Sequence, residues 1–363
     1  MTQSDKPVLT VKQKRILIVK LSAVGDIVHT LPALQTLRNV FPDAYISWAV
    51  HKGPSGLLQN NPLLDEVICI PRQLKTFKAF CDVIHSLRKP KFDIAIDFQG
   101  LSKSGMWSFF SGAKQRIGFS GKESREINSL FMTRRILIPQ ATMNIIDINL
   151  SLLSALEISS NQLCKKATLF PSNEDQQYVQ KWGQQARLEP HKAFVIDPFA
   201  GWVTKTWTFE YWAEFCDKLY KQKQYPVILL WGPSEENHVL ALKEQINSQN
   251  PNICPVIAPK TSLLQLAALI KLYALAFIGG DTGPMHIAAS LNIPVIALFG
   301  ASSSDRNAPA FDGAKYITIH DLSQPCAGTF DRHCKHGHAP HHCMDTLTPD
   351  SVLQQTTRFL ENL

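Results

Sequence analysis

The sequence holds no apolar run near the ~20 residues needed to cross a bilayer, and this argues against a transmembrane helix. Its first residues, M-T-Q-S-D-K-P-V-L-T, are polar and lack the apolar centre of a secretory leader, so a cytoplasmic protein is expected. There is no C-x-x-C pair to mark a zinc ribbon or a redox motif. No dense Lys/Arg run with interleaved aromatics occurs, and nucleic acid is therefore not an expected partner. Charged residues are only 18% of the chain and hydrophobic ones 45%, which excludes a disordered chain. No short-period repeat or low-complexity segment is present.

What is there reads as α/β. The chain has 363 residues, enough for two domains. Apolar strands are expected at 16–21, 45–50, 67–70 and 92–98, with helices over about 27–40 and 74–88. A helix over about 145–157 is followed by polar stretches such as S-N-E-D-Q-Q (172–177), and a domain boundary is expected near 170–190. A second alternating series then runs through strands at 193–199, 226–231, 255–258, 274–280 and 294–300, each after the first preceded by a helix. Two doubly wound parallel sheets place a ligand cleft between them, at the C-terminal ends of the strands. Residues 1–175 and 176–363 are the expected domains. The final helix, 349–361, is free on sequence grounds to pack back on the first.

The sharpest motif is I-G-G-D-T-G-P-M-H-I-A-A (278–289). A strand ends in two glycines and a helix follows, with Pro284 in its first turn. Free N–H groups at such a terminus bind phosphate oxygens. Gly283 permits close approach, Thr282 adds a hydroxyl, and His286 lies one turn in. The plainer reading is an Asp/Thr cap with a buried histidine. In A-G-W-V-T-K-T-W (200–207), Lys205 follows a strand, where a cation can neutralise a diphosphate; a loop lysine is more often only solvated. In W-G-P-S-E-E (231–236), Glu235 and Glu236 suit a helix N-terminus, or a carboxylate there could take the hydroxyls of a ribose.

The stretch K-L-S-A-V-G-D-I-V-H-T-L-P (20–32) leaves a strand through Gly25 into a helix. Asp26 is a candidate N-cap. It also lies where a carboxylate facing the cleft could take a proton from an attacking hydroxyl. His29 is one turn on, either a neighbour that tunes the site or an ordinary helix-face histidine.

Together and in this order, these motifs resemble glycosyltransferase family 9, the ADP-heptose:lipopolysaccharide heptosyltransferases, most of all its heptosyltransferase I-like members. F-D-I-A-I-D-F-Q-G-L-S-K-S (92–104) adds to the likeness, which covers nearly the whole chain. The resemblance implies a GT-B architecture, two Rossmann-like domains facing across a cleft, and inverting transfer with no cofactor and no metal. It makes Asp26 the general base. Lys205, Gly201, Asp281, Thr282 and Gly283 would hold the diphosphate of ADP-heptose, Glu235 its ribose, and His286 would line the donor site. The acceptor would be the Kdo-containing core on lipid A, met by Ser22, Gly25, Arg72, Lys75, Lys103 and Arg125. The net charge of +7 suits such an anionic acceptor and peripheral attachment to the inner face of the inner membrane. The chain departs from the family at Ala23, at M-N-I-I-D-I-N (143–149) and in P-R-Q-L-K (71–75), which leaves the acceptor sugar open. The alternatives are the same donor chemistry on another core sugar, glycan or protein, a GT-B sugar-nucleotide epimerase, and a non-catalytic nucleotide-binding scaffold. A scaffold would need neither Asp26 nor Lys205.

Eight cysteines remain. Cys69, Cys81, Cys164, Cys216 and Cys254 sit in apolar segments and are expected as reduced core residues. Cys326, Cys334 and Cys343 share a histidine-rich stretch, 324–344. They could hold structural zinc or iron, but seven and eight residues separate them, not the tight spacing of a metal knuckle. The plainer reading is a loop covering one edge of the second domain.

Overall fold

The computed structural model describes residues 13–138, 143–335 and 342–363. The polar N-terminal stretch and His336, His338 and His341 of the histidine-rich segment lie outside them. Strands β1 (Arg15–Val19), β2 (Tyr45–His51), β3 (Glu66–Ile70), β4 (Ile94–Asp97), β5 (Gln115–Ser120) and β6 (Arg134–Leu137) form one sheet in the order β3-β2-β1-β4-β5-β6. Strands β7 (Ala193–Asp197), β8 (Val227–Leu229), β9 (Val256–Ile257), β10 (Ala274–Gly280), β11 (Val295–Phe299) and β12 (Tyr316–His320) form a second, in the order β12-β11-β10-β7-β8-β9. Every strand pair is parallel. Each sheet has a point where strand order reverses, between β1 and β4 and between β7 and β10. These are the places where doubly wound sheets bind ligands.

The central strands read as unbroken apolar runs because both of their faces are covered. In β1, Ile16 and Ile18 point into one buried cluster and Leu17 and Val19 into another. The cluster holding Ile16 continues into the second half of the chain, through Val195, Phe277 and Val295. The two domains therefore share apolar packing where they meet. β5, β6 and β12 were not anticipated. β6 is an edge strand whose Arg134, Arg135 and Leu137 are exposed, so it carries no two-sided apolar pattern.

Other expectations change as well. The helix expected over 27–40 is two: Val24–Val28 and Leu31–Val40. Pro32 has no N–H to extend the first and instead sits in the opening turn of the second. The polar stretch S-N-E-D-Q-Q, in the expected boundary region, opens helix Asn173–Gln185. Ser172 caps it by accepting from Asp175 N, and Asp175 reaches back to Ser172 N. That helix, which contains the expected 175/176 boundary, lays Trp182 and Gly183 against Tyr273 of the second half. The final helix Pro349–Glu361 packs on helix Phe209–Lys223 and β12, both of the second half. Finally, Cys69, Cys81 and Cys254 are exposed, on an edge strand, an outer helix face and a loop, while Cys216 is buried as expected.

Candidate active site

A cavity of about 430 Å³ lies between the two sheets. It receives Gly25 and Asp26 from beyond β1, Gln99 from beyond β4, Gly201 and Lys205 from beyond β7, and Asp281, Thr282, Gly283 and His286 from beyond β10. A second cavity of about 370 Å³ adjoins it on the side of the second sheet, lined by Asp197, Trp231, Glu235 and Ala258.

Asp26 is not the N-cap of its helix. The helix begins at Val24, and Asp26 is the third residue in it. Its Oδ2 accepts from Ala23 N at 2.9 Å, the backward half of a capping box, since Ala23 has no side-chain acceptor to supply the other half. Oδ1 faces Lys20 Nζ at 3.4 Å, and the carboxylate remains 40% exposed, within reach of a ligand in the cavity. Lys20 is buried and also donates to Phe98 O at 2.9 Å, so its ammonium is anchored across the β1–β4 switch point. Gln99 Oε1 accepts from Leu21 N and Ser22 N and fixes the turn that leads to Asp26. Capping and availability are thus divided between the two oxygens of one carboxylate.

On the facing side, Thr282 is the N-cap of helix Gly283–Ser290, with Pro284 in its first turn. Lys205 Nζ lies 2.6 Å from Asp281 Oδ2 and 4.3 Å from the Trp202 ring centre. Burial opposes the charge on Asp281, but the N–H of His286 and the Lys205 ammonium outweigh it and hold its carboxyl well below the usual range. Asn307 Nδ2 donates to Asp281 Oδ2 at 2.9 Å. His286 is buried and bonds Asp281 Oδ1 through Nε2 and His29 through Nδ1. Thr282 Oγ1 donates to Asp197 Oδ2 at 2.7 Å. Burial pushes the Asp197 carboxyl up to about 7, aided by the charge of Glu235 and against the Thr282 bond. Glu235 is the N-cap residue of helix Glu236–Gln249, but its side chain bonds no helix amide; Oε2 instead accepts from Gly232 N at 2.6 Å. Its other oxygen is not used in that bond.

Gly25, Asp26, Arg125, Gly201, Lys205, Asp281, Thr282, Gly283 and His286 therefore line one cavity, and Glu235 lines the adjoining one. Ser22, Arg72, Lys75 and Lys103 line neither. Lys103 Nζ donates to Arg72 O at 2.7 Å, which holds these two exposed basic residues together at the rim of the first domain. Lys20, Gln99, Trp202, Asp197, Arg306 and Asn307 were not singled out from sequence. Arg306 makes a bidentate pair with Glu123 across the domains, at 3.0 and 2.9 Å. A signal was present for Arg306 and Asn307: both follow the apolar strand β11, at the same end as the other site loops.

The C-terminal cysteines lie apart from the cavity. Cys326 and Cys343 are buried beside Ala301. Burial and a hydrogen bond with Cys326 push the Cys343 thiol up to about 12. Among the described residues no group of three or more His, Cys, Asp and Glu is placed to hold a metal ion. The loop does more than cover an edge: Thr204 Oγ1 donates to Asp331 O, and Cys343 Sγ to Thr204 O, so it braces the turn that carries Lys205.

Two facing doubly wound domains with the site between them constitute the GT-B architecture of glycosyltransferases. The family model for glycosyltransferase family 9 (heptosyltransferase) matches residues 80–339, and the chain belongs to this family. A lipopolysaccharide core heptosyltransferase, OpsX of Haemophilus influenzae, is 29% identical over 316 residues, covering 87% of each chain. The fold is shared with a family 9 glycosyltransferase from Veillonella parvula, at a TM-score of 0.79 and 20% identity over 96% of this chain and 98% of that one. It is also shared with the E. coli heptosyltransferase WaaC, solved with ADP-2-deoxy-2-fluoro heptose, at a TM-score of 0.71 and 21% identity over 95% and 99%. Among the described residues no helix is long and apolar enough to cross a membrane.

Proposed function

We propose that the protein transfers a heptosyl group from ADP-heptose to the inner-core saccharide of lipopolysaccharide, with inversion and with Asp26 as general base. The observation that carries this reading is the placement of Asp26, from one domain, and Lys205 with the Thr282–Gly283 terminus, from the other, on opposite walls of one cavity. A base and a leaving-group site are what a displacement at a sugar carbon requires.

The adenosine would occupy the adjoining cavity, with the free oxygen of Glu235 toward the ribose. The diphosphate would cross the threshold at Gly201, Thr282 and Gly283, residues common to both cavities. The acceptor hydroxyl, entering from the first-domain side, gives its proton to Asp26 Oδ1 as its oxygen bonds the anomeric carbon. The bond from that carbon to the diphosphate oxygen breaks on the opposite face, and ADP departs. Lys205 and the free N–H groups of the Gly283–Ser290 helix meet the charge that develops on it, the part a divalent metal plays elsewhere. Metal-free transfer is part of the proposal.

The exposed bases Arg72, Lys75, Lys103 and Arg125 suit the acidic sugars and phosphates of the acceptor. They also suit attachment to the anionic membrane that holds its lipid. The test is ADP release from purified ADP-heptose with defined lipid A–core acceptors, with and without EDTA, and the anomeric configuration of the product by NMR. Retained configuration, or no ADP release with any core acceptor, overturns the reading.

A further inference from the structure

His29 enters the cleft from the first domain and has no part in the proposed transfer step. The residue is 4% exposed, with Nε2 only 2.9 Å from Nδ1 of His286 in the second domain. His286 Nε2 lies 3.2 Å from Asp281 Oδ1, and Asp281 Oδ2 receives Lys205 Nζ. A continuous chain of polar contacts therefore runs from the helix that bears Asp26 to the ammonium on the far wall.

Valence places the protons. An ionised carboxylate only accepts, so His286 Nε2 carries hydrogen and donates to Asp281. In a neutral ring the Nδ1 of His286 is then bare, and His29 Nε2 must donate to it. That leaves His29 Nδ1 without hydrogen, and it is the one ring nitrogen of the pair that is buried with no partner among the described residues. With both rings neutral, no other arrangement satisfies the two bonds. One hydrogen fits between the facing nitrogens, so an added proton ends on His29 Nδ1 whichever ring holds the shared one. Among the described residues it finds no acceptor there. Burial, then His286, Lys20 and Arg306, disfavour a charged His29, and Asp281 opposes them without prevailing. Phe311 closes another side, with its ring centre 6.2 Å away, and Asn149 donates to His29 O at 3.1 Å.

We propose that His29 is a positioning residue that reaches across the domain boundary, holding His286, Asp281 and Lys205 in the donor-binding arrangement and releasing them when the histidine pair takes up a further proton. This rests on the reading of Lys205 as the ligand of the donor diphosphate. The closed cleft is then a state that favours ADP above neutral pH and loosens in acid, through a residue on the opposite domain from the donor.

The experiment is calorimetric ADP binding to the full chain between pH 5.5 and 8, for wild type, Lys205→Ala, His29→Ala and His29→Gln. His29→Ala should weaken ADP on the order of tenfold at pH 7.5, the value of one well-placed hydrogen bond. The amide N–H of glutamine can replace Nε2–H but does not titrate. His29→Gln should therefore bind like wild type at pH 7.5 and lose affinity less than wild type toward pH 5.5. The nucleotide's own titration is common to both and cancels in the comparison. If Lys205→Ala weakens ADP while His29→Ala matches wild type throughout, the link is wrong and the donor site stands. Should His29→Gln follow the wild-type acid dependence, the proton-linked release is wrong. Unchanged ADP affinity in Lys205→Ala removes the donor reading itself. The glutamine variant carries the test even where alanine destabilises the fold.

Discussion

A methyl group on Gly25 would lie 2.8 Å from Cδ2 of His286, closer than real side chains approach. The relation is nearly reciprocal, since a methyl on Gly283 would lie 2.9 Å from Cβ of Val24. Two helix starts, one from each domain, meet through two glycines, and each carries one half of the site. Gly25→Ala should force them apart and shift Asp26 from the anomeric carbon by a fraction of an ångström to an ångström. Displacements of that size cost about 100-fold in rate. The expectation is a fall in kcat approaching that figure with a folded protein by circular dichroism. Wild-type kcat would show that the contact is not needed for turnover.

Asp26→Asn separates proton transfer from architecture. The asparagine oxygen can still accept from Ala23 N, so the helix start is preserved. Turnover should fall by about 10²–10⁴, the usual contribution of a positioned base. ADP affinity should stay within about twofold, because Asp26 stands on the first-domain wall of the cavity, opposite Lys205. A variant with more than a tenth of wild-type turnover would exclude Asp26 as the base.

Asp197 gives a pH dependence with a defined sign. Its carboxyl is raised to about 7 in the folded chain, so between its ordinary value and 7 the folded state binds more protons than the unfolded one. Stability is then greatest below the unfolded pKa and is lost as pH rises toward 7. Asp197→Asn keeps an acceptor for the Thr282 hydroxyl and removes the buried charge. Each tenfold difference in proton affinity between the two states is worth about 1.4 kcal/mol, so the variant should gain on the order of 2–4 kcal/mol at pH 8 relative to pH 5. Denaturant melts at the two pH values check this, and an equal effect at both would refute it.

Peripheral attachment has its own test. Phe77 is 79% exposed and stands beside Lys75 and Lys78, with Arg72 close in sequence. An apolar tip ringed by lysines is suited to an anionic lipid surface. The protein should sediment with vesicles containing phosphatidylglycerol and not with pure phosphatidylcholine, and Phe77→Ser with Lys75→Glu should weaken that binding severalfold. Equal sedimentation of the variant, or none by wild type, counts against membrane attachment at this tip.

The sequence carried the fold where both sheet faces are covered, because I-L-I-V and A-L-A-F-I-G-G are apolar throughout and end in glycine-bearing turns. It was silent on β6, whose edge position lets arginines occupy a strand. It also carried the residues of the two walls, since each follows a strand at the same end of its sheet. What it did not carry is pairing across distance. Lys20 beside Asp26, Asn307 on Asp281 and Arg306 on Glu123 are ordinary surface-type residues until the fold turns them inward. His29 and His286 are 257 positions apart and share a single hydrogen. Asp26 was legible as a helix-start acid but not as the third residue, because Ala23 gives no signal of a cap.

The two cavities share Ala23, Gly25, Gly201, Thr282 and Gly283 and adjoin as one continuous space. A single molecule that joins an adenosine-like head to an acidic-saccharide-like tail by a short anionic bridge would fill both chambers at once. Binding of the head raises the local concentration of the tail at the second chamber, so the linked compound should outbind either fragment by far more than their separate affinities suggest. The shared glycines set the bridge: short, with no bulk where the two helix starts touch.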